Sequence, residues 1–164
     1  TELKHVLSTY VIQRDCKVLL PEYTKGYDTV VWTTTGHLYV RKTPLEIIEE
    51  SCHRDFASYE GRRKLAMKLT GYEKKVPIPI NISQKIYAFP TISPTNPDCI
   101  WIIAHHIKKI EKITGRSNNM KFQSIVHFWD GSSMPFEISA YSLSEQRKRT
   151  SYCKDLLESI HVKT

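Results

Sequence analysis

The stretch TVVWTTTGHLYVRKTPLEIIEESCHR, residues 29–54, carries two periodicities back to back, and its reading sets the fold class. Thr29 to Val40 is rich in β-branched and aromatic residues, which suit a pleated surface, and Gly36 splits the run after three threonines. This predicts a β-hairpin that turns near Thr35 and Gly36. Pro44 stands where a helix can begin, because its fixed φ suits the first turn and its missing N–H has no partner there. Thr43 is the expected N-cap. Leu45, Ile48 and Cys52 then share one helical face, and Glu46, Glu49 and Glu50 occupy the others. A hairpin followed by a short helix, acidic outside, points to an α+β chain.

The flanks extend this reading. Residues 8–20 (STYVIQRDCKVLL) form an extended segment that ends at Pro21. Ser58 begins a second helix and Gly71 ends it, with Leu65, Ala66 and Leu69 as its apolar stripe and Arg63, Lys64 and Lys68 away from that stripe. Pro77 and Pro79 enforce an extended path through VPIPIN. KIYAF, CIWIIAHHI and FQSIVHFW read as strands, with a loop from Pro90 to Pro97 and a polar stretch from Gly115 to Asn119 between them. Asp130-Gly131 is a strong turn signal, so residues 122–138 form a second hairpin. Ser142 and Glu145 make a capping-box pattern for a last helix, whose stripe is Tyr152, Leu156 and Ile160. The expected fold is α+β, an antiparallel sheet with about three helices, in a single domain over residues 1–164.

Composition narrows the function classes. The 164 residues suffice for one buried core, and no run approaches the roughly 18 apolar residues of a membrane span. TELKHVLSTY lacks a cationic segment followed by an apolar one, so no signal peptide is read and a cytoplasmic location is expected. The chain opens with Thr rather than Met, so its numbering is expected to start at a processing boundary or at one set by expression. Cys16, Cys52, Cys99 and Cys153 lie far apart with no C-x-x-C pair, which predicts buried free thiols rather than structural zinc or disulfides. Phosphate-loop, dinucleotide and nucleophile-elbow signatures are missing. His105 and His106 are neighbours, so on a strand they would face opposite ways and could not share a metal. No catalytic residue, metal or cofactor is expected.

Cations, by contrast, cluster. Twenty-four Lys and Arg against seventeen Asp and Glu give +7, a balance that favours polyanionic partners. Arg62, Arg63, Lys64, Lys68, Lys74 and Lys75 stand against Glu73 alone; Lys108, Lys109, Lys112 and Arg116 form a second run, and Arg147, Lys148 and Arg149 a third. The first run starts beside Ser58, Tyr59 and Gly61, where hydroxyls and a bare backbone can approach phosphates and arginine forks can bind phosphate or base edges. These nine residues, Ser58, Tyr59, Gly61, Arg62, Arg63, Lys64, Lys68, Lys74 and Lys75, are the expected DNA contacts. The acidic helix, a short FAS connection and the basic helix resemble a helix-turn-helix only superficially, since Glu46, Glu49 and Glu50 are poor neighbours for phosphate. Two other readings stay open: a basic module that binds an acidic protein, and a nuclease, which the lack of an evident carboxylate cluster disfavours.

Ser51-Cys52, Ser58-Tyr59 and Gly61-Arg62, followed by Pro77-Ile78, Phe89-Pro90-Thr91, Ser93, Pro97, Cys99 and Trp101, resemble the competence transcription factor (ComK) family. The likeness is strongest from Pro44 to Lys108. It implies an activator of DNA-uptake genes that recognises AT-rich boxes mainly through the minor groove, acts as a multimer on paired boxes and associates with the nucleoid. It also implies control by a proteolytic adaptor through the C-terminal region, and an end at HVKT soon after the last helix puts that tail in doubt. Minor-groove reading suits the chemistry: A·T and T·A pairs present nearly the same acceptors there, and narrow A-tracts attract an inserted arginine. Arg62 and Arg63 are the expected inserting residues, on an exposed face where substitution would barely change stability. One small module covers only about 600–1,000 Å² of DNA, so binding as at least a dimer is expected, through the N-terminal strands or the last helix.

Overall fold

The computed structural model describes residues 5–115 and 121–162. Arg116 and most of the polar stretch after Gly115 lie outside the described residues. Seven strands form the larger sheet: β1 (Val6–Leu7), β2 (Cys16–Pro21), β3 (Thr29–Thr33), β4 (Gly36–Val40), β5 (Ile78–Asn81), β6 (Ile86–Pro90) and β7 (Trp101–Ile103). Their spatial order is β1-β4-β3-β2-β7-β6-β5, antiparallel throughout except for the edge pair β1 and β4. Strands β8 (Ile107–Lys112), β9 (Ser124–Phe128) and β10 (Ser133–Phe136) form a separate antiparallel meander. Three helices complete the chain: α1 (Pro44–Arg54), α2 (Tyr59–Thr70) and α3 (Ala140–Val162).

The α+β expectation and three helices hold, with two sheets where one was expected. The run CIWIIAHHI does not continue as one strand, because a 3-10 turn at Ala104–His106 breaks it and sends Ile107 into the second sheet. The hairpin of residues 29–40 forms with Thr33 opposite Gly36, and the Thr33 hydroxyl donates to the Gly36 carbonyl at 2.8 Å. At α1 the Thr43 hydroxyl accepts from Glu46 N–H and the Glu46 carboxylate accepts from Thr43 N–H, a reciprocal box that satisfies two orphan donors. Gly71 closes α2 at φ +80°, where its N–H donates to the Met67 carbonyl. Pro79 sits on the sheet's edge strand, the position where a missing ladder donor costs least.

Alternation across the larger sheet explains why its strands read as almost continuous apolar runs. Leu19, Ala88, Trp101 and Ile103 pack on one face with Ile47, Ile48 and Cys52 of α1. Val18, Phe89 and Ile102 pack on the other with Val126, Phe128 and Phe136 of the small sheet and Leu143 of α3. Both faces are covered, so few positions remain for polar residues. A third cluster joins Ala66 of α2, Tyr87 of β6 and Cys153 and Leu157 of α3. All four cysteines are buried free thiols.

Three local expectations change. Only residues 16–21 of the N-terminal segment pair as a strand; Ile12 is instead buried against α1, its N–H donating to the Ser51 hydroxyl at 2.9 Å. The last helix starts earlier than the Ser142 capping pattern implied, because Ser139 Oγ accepts from Ser142 N–H and so stands at the cap. Its buried stripe is Leu143, Gln146, Thr150, Cys153 and Leu157, while Tyr152 and Ile160 are exposed. Gln146 and Thr150 belong inside because both are satisfied: Gln146 Nε2 donates to the Lys75 and Pro90 carbonyls, and Thr150 Oγ1 to the Gln146 carbonyl. His105 and His106 lie on the 3-10 turn rather than a strand, so their rings sit 4.2 Å apart and both Nε2 atoms meet the Arg14 carbonyl. That carbonyl can only accept, so each ring donates from Nε2, and burial pushes the pKa of both below the usual histidine range.

One ion pair pins the small sheet to the large one. Buried Lys17 of β2 donates from Nζ to Asp130 Oδ2 and to Ser132 Oγ, each at 2.7 Å, across the turn between β9 and β10. Partial desolvation pushes the Asp130 carboxyl up, but bonds from Lys17 and Ser132 and the Lys17 charge outweigh it and hold the pKa down at about 2. A depressed carboxyl adds stability above its unfolded pKa and loses it as pH falls through the folded value. Asp130→Asn is therefore expected to remove about 1–2 kcal/mol at neutral pH, a modest figure because solvent still reaches the carboxylate. Urea titrations stepped from pH 6 down to roughly pH 2 check this. The parent should lose stability below about pH 4 more steeply than the variant; parallel acid limbs would show that the pair contributes nothing.

Candidate nucleic-acid interface

The basic run after Gly61 is divided by the geometry of α2. Ser58 caps the helix, its hydroxyl accepting from Gly61 N–H at 2.9 Å, and a Cβ on Gly61 would sit 2.9 Å from that same oxygen. Both residues are exposed, but this bond accounts for them as parts of the helix start. Tyr59 is half-buried and meets the Trp101 ring edge-on at 6.4 Å.

Arg62 corrects the expectation of an exposed face. It is a buried residue, 8% exposed, and its guanidinium makes three hydrogen bonds within the chain. One nitrogen donates to the Pro79 carbonyl at 2.9 Å; the other reaches both the Asp55 carbonyl and Asp55 Oδ2, the latter at 2.7 Å. Asp55 Oδ2 also accepts from Ile82 N–H. The arginine thus ties the α1–α2 turn to edge strand β5 and is held inward by these bonds. Its place on α2 explains this, since the position shares the inward face with Ala66.

The remaining cations do reach solvent. Arg63, Lys74 and Lys75 line an open groove of about 840 Å³ together with Tyr59, Ser93 and Thr95. Glu60 and Glu73 line it too, and Arg63 forks onto Glu60 with bonds of 2.9 and 3.1 Å. Exposed pairs of this kind are worth only about 0–1 kcal/mol, so a phosphate can compete for the guanidinium. Lys64 and Lys68 are exposed but belong to another face of α2. Gln146 donates to the carbonyl of the groove residue Lys75 at 2.8 Å, and Arg149 stacks 4.0 Å from the centre of the Tyr72 ring. Arg149 of the third run therefore does packing work, Arg147 bonds the Ile107 carbonyl, and Lys148 stays exposed beside Glu145. In the second run Lys108, Lys109 and Lys112 are exposed on β8.

The sequence reading passed over Phe56. It is 99% exposed and sits at φ +58°, in the left-handed region that a bulky residue rarely adopts. Its turn is rigid: Asp55 N–H and Ala57 N–H both donate to the Cys52 carbonyl, Phe56 N–H to the His53 carbonyl, and Arg62 clamps Asp55. Exposed His53 and Arg54 precede it and the α2 cap follows. Nothing in periodicity marks such a residue; the signal available was an aromatic placed in a connection too short to bury it.

A family model described as ComK protein matches residues 7–160. The competence transcription factor of Bacillus subtilis (strain 168) is 32% identical over 116 residues, which cover 71% of this chain and 57% of that protein. The chain thus spans little more than half the length of that curated relative. No solved structure matches. The family match runs from β1 into the end of α3, so it takes in the whole architecture described above: the chain belongs to the ComK protein family.

Proposed function

We propose that this protein is a transcription activator of competence genes that binds AT-rich DNA, mainly through the minor groove and as a multimer. The observation that carries the reading is Phe56, a fully exposed aromatic held on a braced turn at the start of a cationic helix. Minor-groove proteins insert such apolar wedges between base steps and bend the duplex, while cations on either side hold the phosphates. Flexible TA steps lower the cost of that bend, which gives a preference for AT-rich sites without many base contacts. Arg63, Lys64, Lys68, Lys74 and Lys75 supply the charge, and Arg62 acts through the turn it braces.

Gel shifts with AT-box DNA against scrambled DNA of equal length test the reading. Equal affinity for both, or none for either, would favour the alternative of a basic module that binds an acidic protein. Cleaved product on the same gel with added magnesium would revive the nuclease. Light scattering that finds one protein copy on a two-box site would end the multimer.

The cations should separate by role. Lys68→Ala and Lys74→Ala are each expected to weaken specific and non-specific DNA alike and to flatten the salt slope by about 0.9. Arg63→Ala should cost about 1–3 kcal/mol on AT-box DNA if its fork leaves Glu60 for the duplex. Binding curves at several salt concentrations, read beside thermal melts, decide between the two.

A further inference from the structure

Away from α2, a smaller cavity of about 210 Å³ is assembled from distant parts of the chain, with Lys85, Tyr87, His105, Trp129, Arg147 and Lys154 in its wall. Lys85 comes from the β5–β6 turn, Tyr87 from β6, His105 from the 3-10 turn, and Arg147 and Lys154 from α3. No lining residue is acidic. The nearby Glu158 stands 3.6 Å from Lys85 Nζ. Lys154 has no ion-pair partner among the described residues, and Arg147 spends one nitrogen on the Ile107 carbonyl.

Two lining residues also hold polar atoms that the protein leaves unpaired. Tyr87 is 2% exposed and its buried hydroxyl has no hydrogen-bond partner; His105 Nδ1 is likewise buried and unpartnered. The third such atom, Glu158 Oε1, keeps the Lys85 ammonium beside it. Buried polar groups are normally satisfied, so orphans that share a cavity with cations point to an absent ligand. His105 donates from Nε2 to the Arg14 carbonyl, which leaves Nδ1 as an acceptor when the ring is neutral. A group that suits this lining is anionic, accepts from Tyr87 and carries one proton of its own. It must also be small, since whole-ligand pockets usually run to about 300–1,000 Å³.

We propose that this cavity binds a phosphate group, with Lys85, Arg147 and Lys154 supplying the charge, the Tyr87 hydroxyl donating to one oxygen and His105 Nδ1 accepting from a protonated one. A phosphate monoester or inorganic phosphate meets the last requirement, whereas a backbone diester lacks the proton. Trp129 stands exposed at the wall with Lys108 Nζ 5.7 Å from its ring, so it can report occupancy by fluorescence. The free-phosphate arm does not depend on the DNA-binding proposal.

The experiment titrates the whole chain with inorganic phosphate, with a mononucleotide and with a short AT-rich duplex, using Trp129→Phe as the control for the signal. Tyr87→Phe and Lys154→Ala are each expected to weaken free phosphate about tenfold, the loss of one charge-assisted bond. Thermal melts of free Tyr87→Phe should match or exceed the parent, because the variant removes an unsatisfied hydroxyl; a merely structural Tyr87 would lower them. If phosphate and mononucleotide leave no signal yet both variants lose duplex affinity, the proposal is overturned, because a backbone diester has no proton to give His105 Nδ1. If neither free phosphate nor duplex depends on Tyr87 and Lys154, the proposal is overturned. Arg63→Ala and Lys74→Ala, tested alongside, report on the α2 groove alone, so failure of either reading is visible by itself.

Discussion

Arg62→Ala is expected to lower stability by about 3 kcal/mol and the melting temperature by roughly 6–12 °C for a chain of this size. The loss comes from stranding its partners. Asp55, its side chain only 22% exposed, would lose its cation, and the Pro79 carbonyl would lose its donor on the edge strand. Removing one member of a buried pair typically costs about 3–5 kcal/mol, and the remaining solvent access of Asp55 sets the value at the lower end. Arg62→Lys should recover little, because an ammonium cannot fork to Asp55 and Pro79 together. Denaturant titrations of both variants measure this. A melt within about 1 °C of the parent would show that the guanidinium does not brace the turn, and would return Arg62 to the DNA contacts.

Phe56→Gly should do the opposite: leave stability unchanged or raise it by up to about 1 kcal/mol, while weakening AT-box DNA by about 1–3 kcal/mol. Glycine adopts φ +58° without a Cβ clash, and a side chain that is 99% exposed forfeits no core packing when it is removed. A buried phenylalanine would instead cost about 3–5 kcal/mol. The affinity loss should appear on AT-rich duplex and shrink on scrambled DNA, and bending measured by end-to-end energy transfer should fall with it. Unchanged affinity and bend would remove the wedge and leave only the cations of α2 and the 73–75 segment. Paired with Arg62→Ala, this variant separates the proposed DNA contact from the residue that braces its turn.

Features legible in the sequence were those fixed within a few residues. The hairpin of residues 29–40, the Thr43–Glu46 box, the Ser58 cap, the Gly71 stop and the Asp130-Gly131 turn all formed as read. The caps and turns depend on backbone geometry and on partners no more than four positions away, and each hairpin's pairing follows from its turn. The stripe on α2 was readable for the same reason: a face repeats every three or four residues whatever lies against it.

The candidate site was legible as a charge density and little more. A run of cations says that α2 is basic; it does not say that Arg62 turns inward to Asp55 and Pro79 while Arg63 turns out, because that choice depends on strand β5, 17 residues along the chain. Glu60 was four positions from Lys64 and three from Arg63, so the pair that occupies Arg63 could have been found; the Asp55 clamp, across a turn, could not. The stripe of α3 misled because Gln146 and Thr150 look like surface residues until the Lys75 and Pro90 carbonyls come within bonding distance. The phosphate cavity gathers residues from 85 to 154, and the Phe56 turn owes its rigidity to an arginine in the next helix. By itself the sequence determined the α+β class, its turns and caps, and the positive charge, since these follow from local torsion and composition. Which cations face solvent, which aromatic is left bare and which polar atoms go unpaired were decided only by tertiary structure, because burial is a property of what packs against a residue.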